Sequence, residues 1–86
     1  MSEIQLMPQE AIGNSKFCGQ LVVTCGFQDA FGEVAPVVAI KTLLKIVTER
    51  VIGEGADYLQ VAIFQGTKFW IIDDEEVITF LLPTEY

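Results

Sequence analysis

The residues in this chain whose type and spacing suggest chemistry are acids: Glu54 and Asp57, then the uninterrupted run Asp73, Asp74, Glu75 and Glu76. Carboxylates at that density have three uses. They can form a solvated turn whose charge keeps one sheet from pairing edge to edge with another. They can form a docking patch for a basic partner, including imitation of nucleic-acid phosphates so as to block a DNA- or RNA-binding protein. They can hold a hard cation, but the run lacks the Asp-x-Asp-x-Asp-Gly spacing that wraps ligands around calcium, so no metal site is predicted. The six acids are therefore a candidate partner-binding patch.

Catalysis has less to stand on. The chain has no histidine, so the commonest general base and metal ligand is missing. Cys18 could serve as a thiol nucleophile, but no imidazole exists to activate it. Gly53-Glu54-Gly55 follows a helical pattern rather than a strand and lacks a third glycine, which makes it a helix stop and not a phosphate cradle. The expectation is a non-enzymatic protein with no catalytic residues and no cofactor.

Charge and cysteine usage narrow the class further. A net charge of −7 with only five lysines and arginines argues against direct nucleic-acid binding and against an anionic membrane. The acidity is segregated: up to Gly53 five acids face four bases, whereas from Glu54 onward seven acids face Lys68 alone. Cys18 and Cys25 fall in one stretch read as extended, which separates them by about 23 Å. A disulfide needs Cα atoms within roughly 7 Å, so they are not expected to pair. The N-terminus carries acids where a secretory leader carries bases, and no apolar run reaches membrane-spanning length. A reduced, cytoplasmic protein is expected.

The elements that must position these residues form one α+β domain over residues 1–86, with 1–16 poorly defined. Within 1–16 the sequence allows a short strand at 4–6 and a helical turn after Pro8. Residues 17–27 read as a strand, 28–35 as a loop, and 36–52 as a helix with Val37, Ile40, Leu43, Leu44, Val47 and Val51 on its apolar stripe. Lys41, Lys45 and Glu49 fall on another stripe as a solvated face with an i,i+4 pair.

Residues 57–82 read as a three-stranded meander, with turns at Gln65-Gly66 and at residues 73–76. The fold predicted is one helix on a mixed, mostly antiparallel sheet of about four strands, in the order β-α-β-β-β, with the first strand parallel to the second and fourth. A helix running back from the first strand ends near the start of the next, which places Arg50 close to the acids as their counter-charge.

Pairing the meander turn by turn gives two faces. One holds Leu59, Val61, Ile63, Trp70, Ile72, Val77 and Leu81 with Lys68 and Thr79. The other holds Tyr58, Ala62, Phe64, Phe69, Ile71, Ile78, Phe80 and Leu82 with Gln60 and Thr67. Both are apolar, whereas an antiparallel meander usually leaves one face wet. One helix can cover only one of them. The sequence therefore predicts a homodimer through the uncovered face, with residues 1–16 folding across it as the alternative. A different class of reading is a small-molecule site between helix and sheet or at a dimer interface. Tyr58, Phe64, Phe69, Trp70 and Phe80 are the interface or pocket candidates.

Overall fold

The computed structural model describes residues 3–86; the first two residues of the 1–16 segment lie outside the described residues. Five strands form one sheet: β1 (Gln5–Leu6), β2 (Gln20–Val23), β3 (Leu59–Phe64), β4 (Thr67–Asp73) and β5 (Val77–Leu81), in the spatial order β1-β3-β4-β5-β2. Pairing is antiparallel except for β2 against β5, which is parallel. The class is α+β with a mixed sheet, as the sequence predicts. The fifth strand is β1, which pairs with β3 in the register Gln5↔Ile63 and Leu6↔Ala62. No helical turn forms after Pro8.

The first hairpin has the expected register, from Phe64↔Thr67 to Leu59↔Ile72. Gln65 and Gly66 both adopt positive φ, 51° and 81°, as the tight mirror-image turn of a two-residue hairpin requires. The second hairpin is shifted by two residues: Trp70 pairs with Leu81 and Ile72 with Thr79. Its turn contracts onto Glu75, at φ 68°, where the Glu76 N–H donates to the Asp74 carbonyl at 2.8 Å. A shift of two preserves side-chain parity, so the composition of both faces is unchanged.

The larger correction lies between β2 and the long helix. The strand stops at Val23, and residues Cys25–Phe31 form a short helix, α1. Thr24 caps it, its hydroxyl accepting the Phe27 N–H at 3.2 Å. Alternation continues to Phe27, but Phe27 and Phe31 are four apart and both buried, and helical spacing prevails over alternation. After one 3₁₀ turn, α2 (Ala35–Ile46) runs back along the sheet and ends in a π-helical turn, Val47–Val51.

The stripe that α2 buries is Ala35, Val38, Ala39, Thr42 and Ile46, rotated from the expected one. Small residues there let the helix approach a sheet face crowded with aromatic rings, and interiors of native density favour such pairing of small with large. The Thr42 hydroxyl is satisfied by the Val38 carbonyl at 2.6 Å. Leu43, Val47 and Val51 pack only at the core margin, while Val37, Ile40 and Leu44 are 50%, 54% and 60% exposed.

The core lies between these helices and one sheet face. Phe27 contacts Phe31, Phe69 and Phe80 with ring centroids 4.8–5.5 Å apart, and Phe31 reaches Phe64 at 5.9 Å. No helix among the described residues is long and apolar enough to cross a membrane.

Candidate functional site

Three surfaces result from this frame. The first is the second face of the sheet. The register puts Leu59, Val61 and Ile63 of β3, Lys68, Trp70 and Ile72 of β4, and Val77, Thr79 and Leu81 of β5 on one side. The helices pack on the opposite side, against Ala62, Phe69, Ile71, Ile78 and Phe80. Leu59, Val61, Ile63, Trp70, Ile72 and Val77 are half-buried, and Leu81 is buried.

Ile4 and Leu6 of the N-terminal segment do not cover this face. Ile4 is buried in the helix-side core, Leu6 packs against that core, and Ile12 is 67% exposed. Tyr86 meets the edge of Trp70, with centroids 5.4 Å apart.

Of the five interface or pocket candidates, Trp70 alone lies on this face. Phe69 and Phe80 are fully buried core residues. Tyr58 and Phe64 have the parity of the covered face: Tyr58 is exposed at its end, and Phe64 is half-buried at the core margin. Sequence parity separates the two faces correctly, but it does not say which one the helices take.

The second surface is the acidic end. Backbone pairing brings Asp57 beside the β4–β5 turn, where the Asp73 N–H donates to the Tyr58 carbonyl at 2.9 Å. The acids there divide by role. Asp73 is structural: its carboxylate accepts the Phe17 N–H at 3.1 Å and the Glu75 N–H at 3.0 Å, tying the segment before β2 to the turn. Asp57 accepts its neighbour Tyr58's N–H at 2.9 Å. Asp74, Glu75 and Glu76 are exposed at the turn, and Glu54 is exposed in the loop after the π-turn.

Arg50 is not their counter-charge. The π-turn directs its guanidinium to the Gln60 side-chain oxygen and to the Met7 carbonyl, the latter at 2.6 Å. Gln60 is fully buried and donates to Gln9 and to the Asp57 carbonyl, so a closed polar network pins the N-terminal segment to β3. Among the described residues the one ion pair is Lys45–Glu49 at 3.0 Å, the i,i+4 pair expected from sequence. No group of three or more His, Cys, Asp or Glu among the described residues is arranged to hold a metal ion.

The third surface is a groove near the helix–sheet boundary, and of the pocket candidates Phe64 alone lines it. A groove of about 490 Å³ opens between α2 and the β1–β3 edge, with Ile4, Val34, Val37, Val38 and Phe64 on its apolar walls and Lys41 and Lys45 beside them. It lies at the margin of the helix–sheet interface, not within it. None of the acids proposed as a patch, nor Trp70 or Cys18, lines it.

The two cysteines are free and exposed; Cys25 opens α1 instead of continuing the strand. A further residue invisible to local pattern is Glu85. Its carboxylate accepts the Thr24 hydroxyl at 2.6 Å, the Leu82 N–H at 2.9 Å and the Gly26 N–H at 3.0 Å. The Thr24 bond, followed by those from the backbone, holds its pKa below the usual carboxylate value, against a desolvation that would raise it. Gly26 leaves the room: a Cβ there would sit 2.4 Å from the Glu85 carboxyl carbon.

Compared with protein-family models, curated proteins and solved structures, the chain has no significant match.

Proposed function

We propose that this is a small, non-enzymatic cytoplasmic protein that works by association. Two copies join through the open sheet face, and the acidic end of each is presented to a basic macromolecular partner. One observation carries the reading: a sheet with two apolar faces has α1 and α2 packed on one of them. Six half-buried apolar side chains, each contributing roughly 1 kcal/mol when fully covered, amount to about 6 kcal/mol per copy and about 12 for a pair. That lies within the range of the roughly 4–15 kcal/mol that association costs in lost freedom of motion.

The test is a sample mixing isotope-labelled and unlabelled copies, read for NMR cross-relaxation between chains. Contacts from Val61, Trp70 and Ile72 are expected. Contacts that map elsewhere remove the open face from the reading.

The acidic end supports the second half of the proposal. Its exposed acids have no cation partner among the described residues, and the chain is strongly anionic. The patch is best tested without Asp73, which holds backbone. Asp74→Asn, Glu75→Gln and Glu76→Gln together are expected to weaken salt-sensitive binding of a deca-lysine peptide. Unchanged affinity in that variant excludes the patch.

A further inference from the structure

We propose that the groove between α2 and the β1–β3 edge binds a small anionic amphiphile carrying a carboxylate. Its apolar tail would lie on Val34, Val37 and Phe64, and its head would meet Lys41 and Lys45. The inference stands apart from association, since the open face is on the other side of the sheet.

The groove has a ligand site's dimensions and make-up. Its volume, about 490 Å³, falls within the roughly 300–1,000 Å³ usual for small-molecule sites, and its lining is largely apolar with few polar groups. Lys41 and Lys45 are one helical turn apart and line the same side. Lys45 is paired with Glu49, whereas Lys41 has no carboxylate within ion-pair reach among the described residues.

The groove also has polarity along its length. A second hollow of about 400 Å³ adjoins it, sharing Glu3, Ile4 and Lys45 and adding Glu49 and Arg50. Together the two hollows are lined by three of the chain's five cations and by two of its twelve acids, Glu3 and Glu49. On a chain of net charge −7 this is a local reversal of sign.

The apolar walls and the lysines select the ligand jointly. A bare anion such as phosphate would leave Val34, Val37 and Phe64 wet. An uncharged hydrocarbon would gain nothing from Lys41, whose methylene stem can lie along the apolar wall while its ammonium stays at the mouth. Only a ligand with both parts uses the whole lining.

The experiment titrates the full chain with decanoate, with decanol as the uncharged analogue and with inorganic phosphate, at constant ionic strength, reading backbone amide NMR shifts. Decanoate is expected to saturate, with shifts centred on Val34, Val37, Lys41, Lys45 and Phe64. Decanol should bind about tenfold more weakly, the value of one charge-assisted hydrogen bond, and phosphate should not saturate. Lys41→Met with Lys45→Met should erase the preference for decanoate and leave decanol binding unchanged.

Three results overturn the proposal: equal affinity for decanoate and decanol in the wild type, shifts centred on Val61 and Trp70, or groove shifts that track protein concentration without ligand. The last would make the groove a contact between copies. Should the double variant fail to fold by circular dichroism, the wild-type ratio of decanoate to decanol decides alone.

Discussion

The two faces of the sheet have nearly the same apolar character and different fates. On the covered side, Phe69, Ile71, Ile78 and Phe80 are fully buried beneath Phe27, Phe31 and the small-residue stripe of α2. On the open side, Val61, Trp70 and Ile72 are as apolar but only half-buried, and Tyr86 meets the edge of Trp70. Hydrophobic content alone does not identify a core. What distinguishes the faces is whether the chain supplies a second layer with matching small residues, and among the described residues α1 and α2 supply it to one face.

The sharpest way to break this comparison is to substitute at paired positions. Phe69→Ala, on the covered face, should cost about 3–5 kcal/mol in urea unfolding because it opens a cavity beside Phe27, Phe31 and Phe80. Val61→Lys, one residue from Phe69's partner Ala62 but facing outward, should alter monomer stability by only about 1 kcal/mol while abolishing association. Similar unfolding losses for the two would mean that the open face is part of the core.

Gln60→Leu is next in size. Gln60 has the covered face's parity but is polar, and its loss would remove one of the two acceptors of the Arg50 guanidinium and one donor to the Gln9 side-chain oxygen. About 2–3 kcal/mol of destabilisation is expected in the same denaturation assay. A neutral result would show that the network contributes no net stability. Asp73→Ala, removing acceptors for the Phe17 and Glu75 N–H groups, should cost about 1–2 kcal/mol and increase amide exchange at Phe17.

The smallest effect concerns the C-terminal turn at the margin of the open face. Glu85 has a lowered pKa in the folded protein, so its contribution is present above the usual carboxylate pKa and disappears as pH falls through its own folded value. Glu85→Gln should therefore lower the melting temperature at pH 7, and the gap from wild type should close on acidification. A gap independent of pH would assign the effect to shape and not to charge.

These residues also show what the chain discloses before it folds. The first hairpin is legible because Gly66 marks a tight turn between two apolar runs, and face parity follows from it. The second is legible in parity but not in register, since four consecutive acids offer several equivalent turns, and the bonds of Asp73 to the Phe17 and Glu75 N–H groups hold the one adopted. The end of β2 is ambiguous because Phe27 fits both an alternating strand and an i,i+4 helical pair with Phe31. The buried stripe of α2 is misread when the largest apolar residues are assumed to face inward; against a phenylalanine-rich sheet, Ala35, Ala39 and Thr42 fit closer. The groove and the Glu85 latch carry no local signal, because each joins residues distant in sequence: Ile4 to Phe64, and Glu85 to Thr24.

The central claim is that the open face is an association surface. Sedimentation equilibrium of the wild type and Val61→Lys across micromolar concentrations tests it most directly. A concentration-dependent dimer in the wild type and a monomer in the variant is the result expected. A wild type that remains monomeric throughout, or a variant that dimerises equally well, would contradict it.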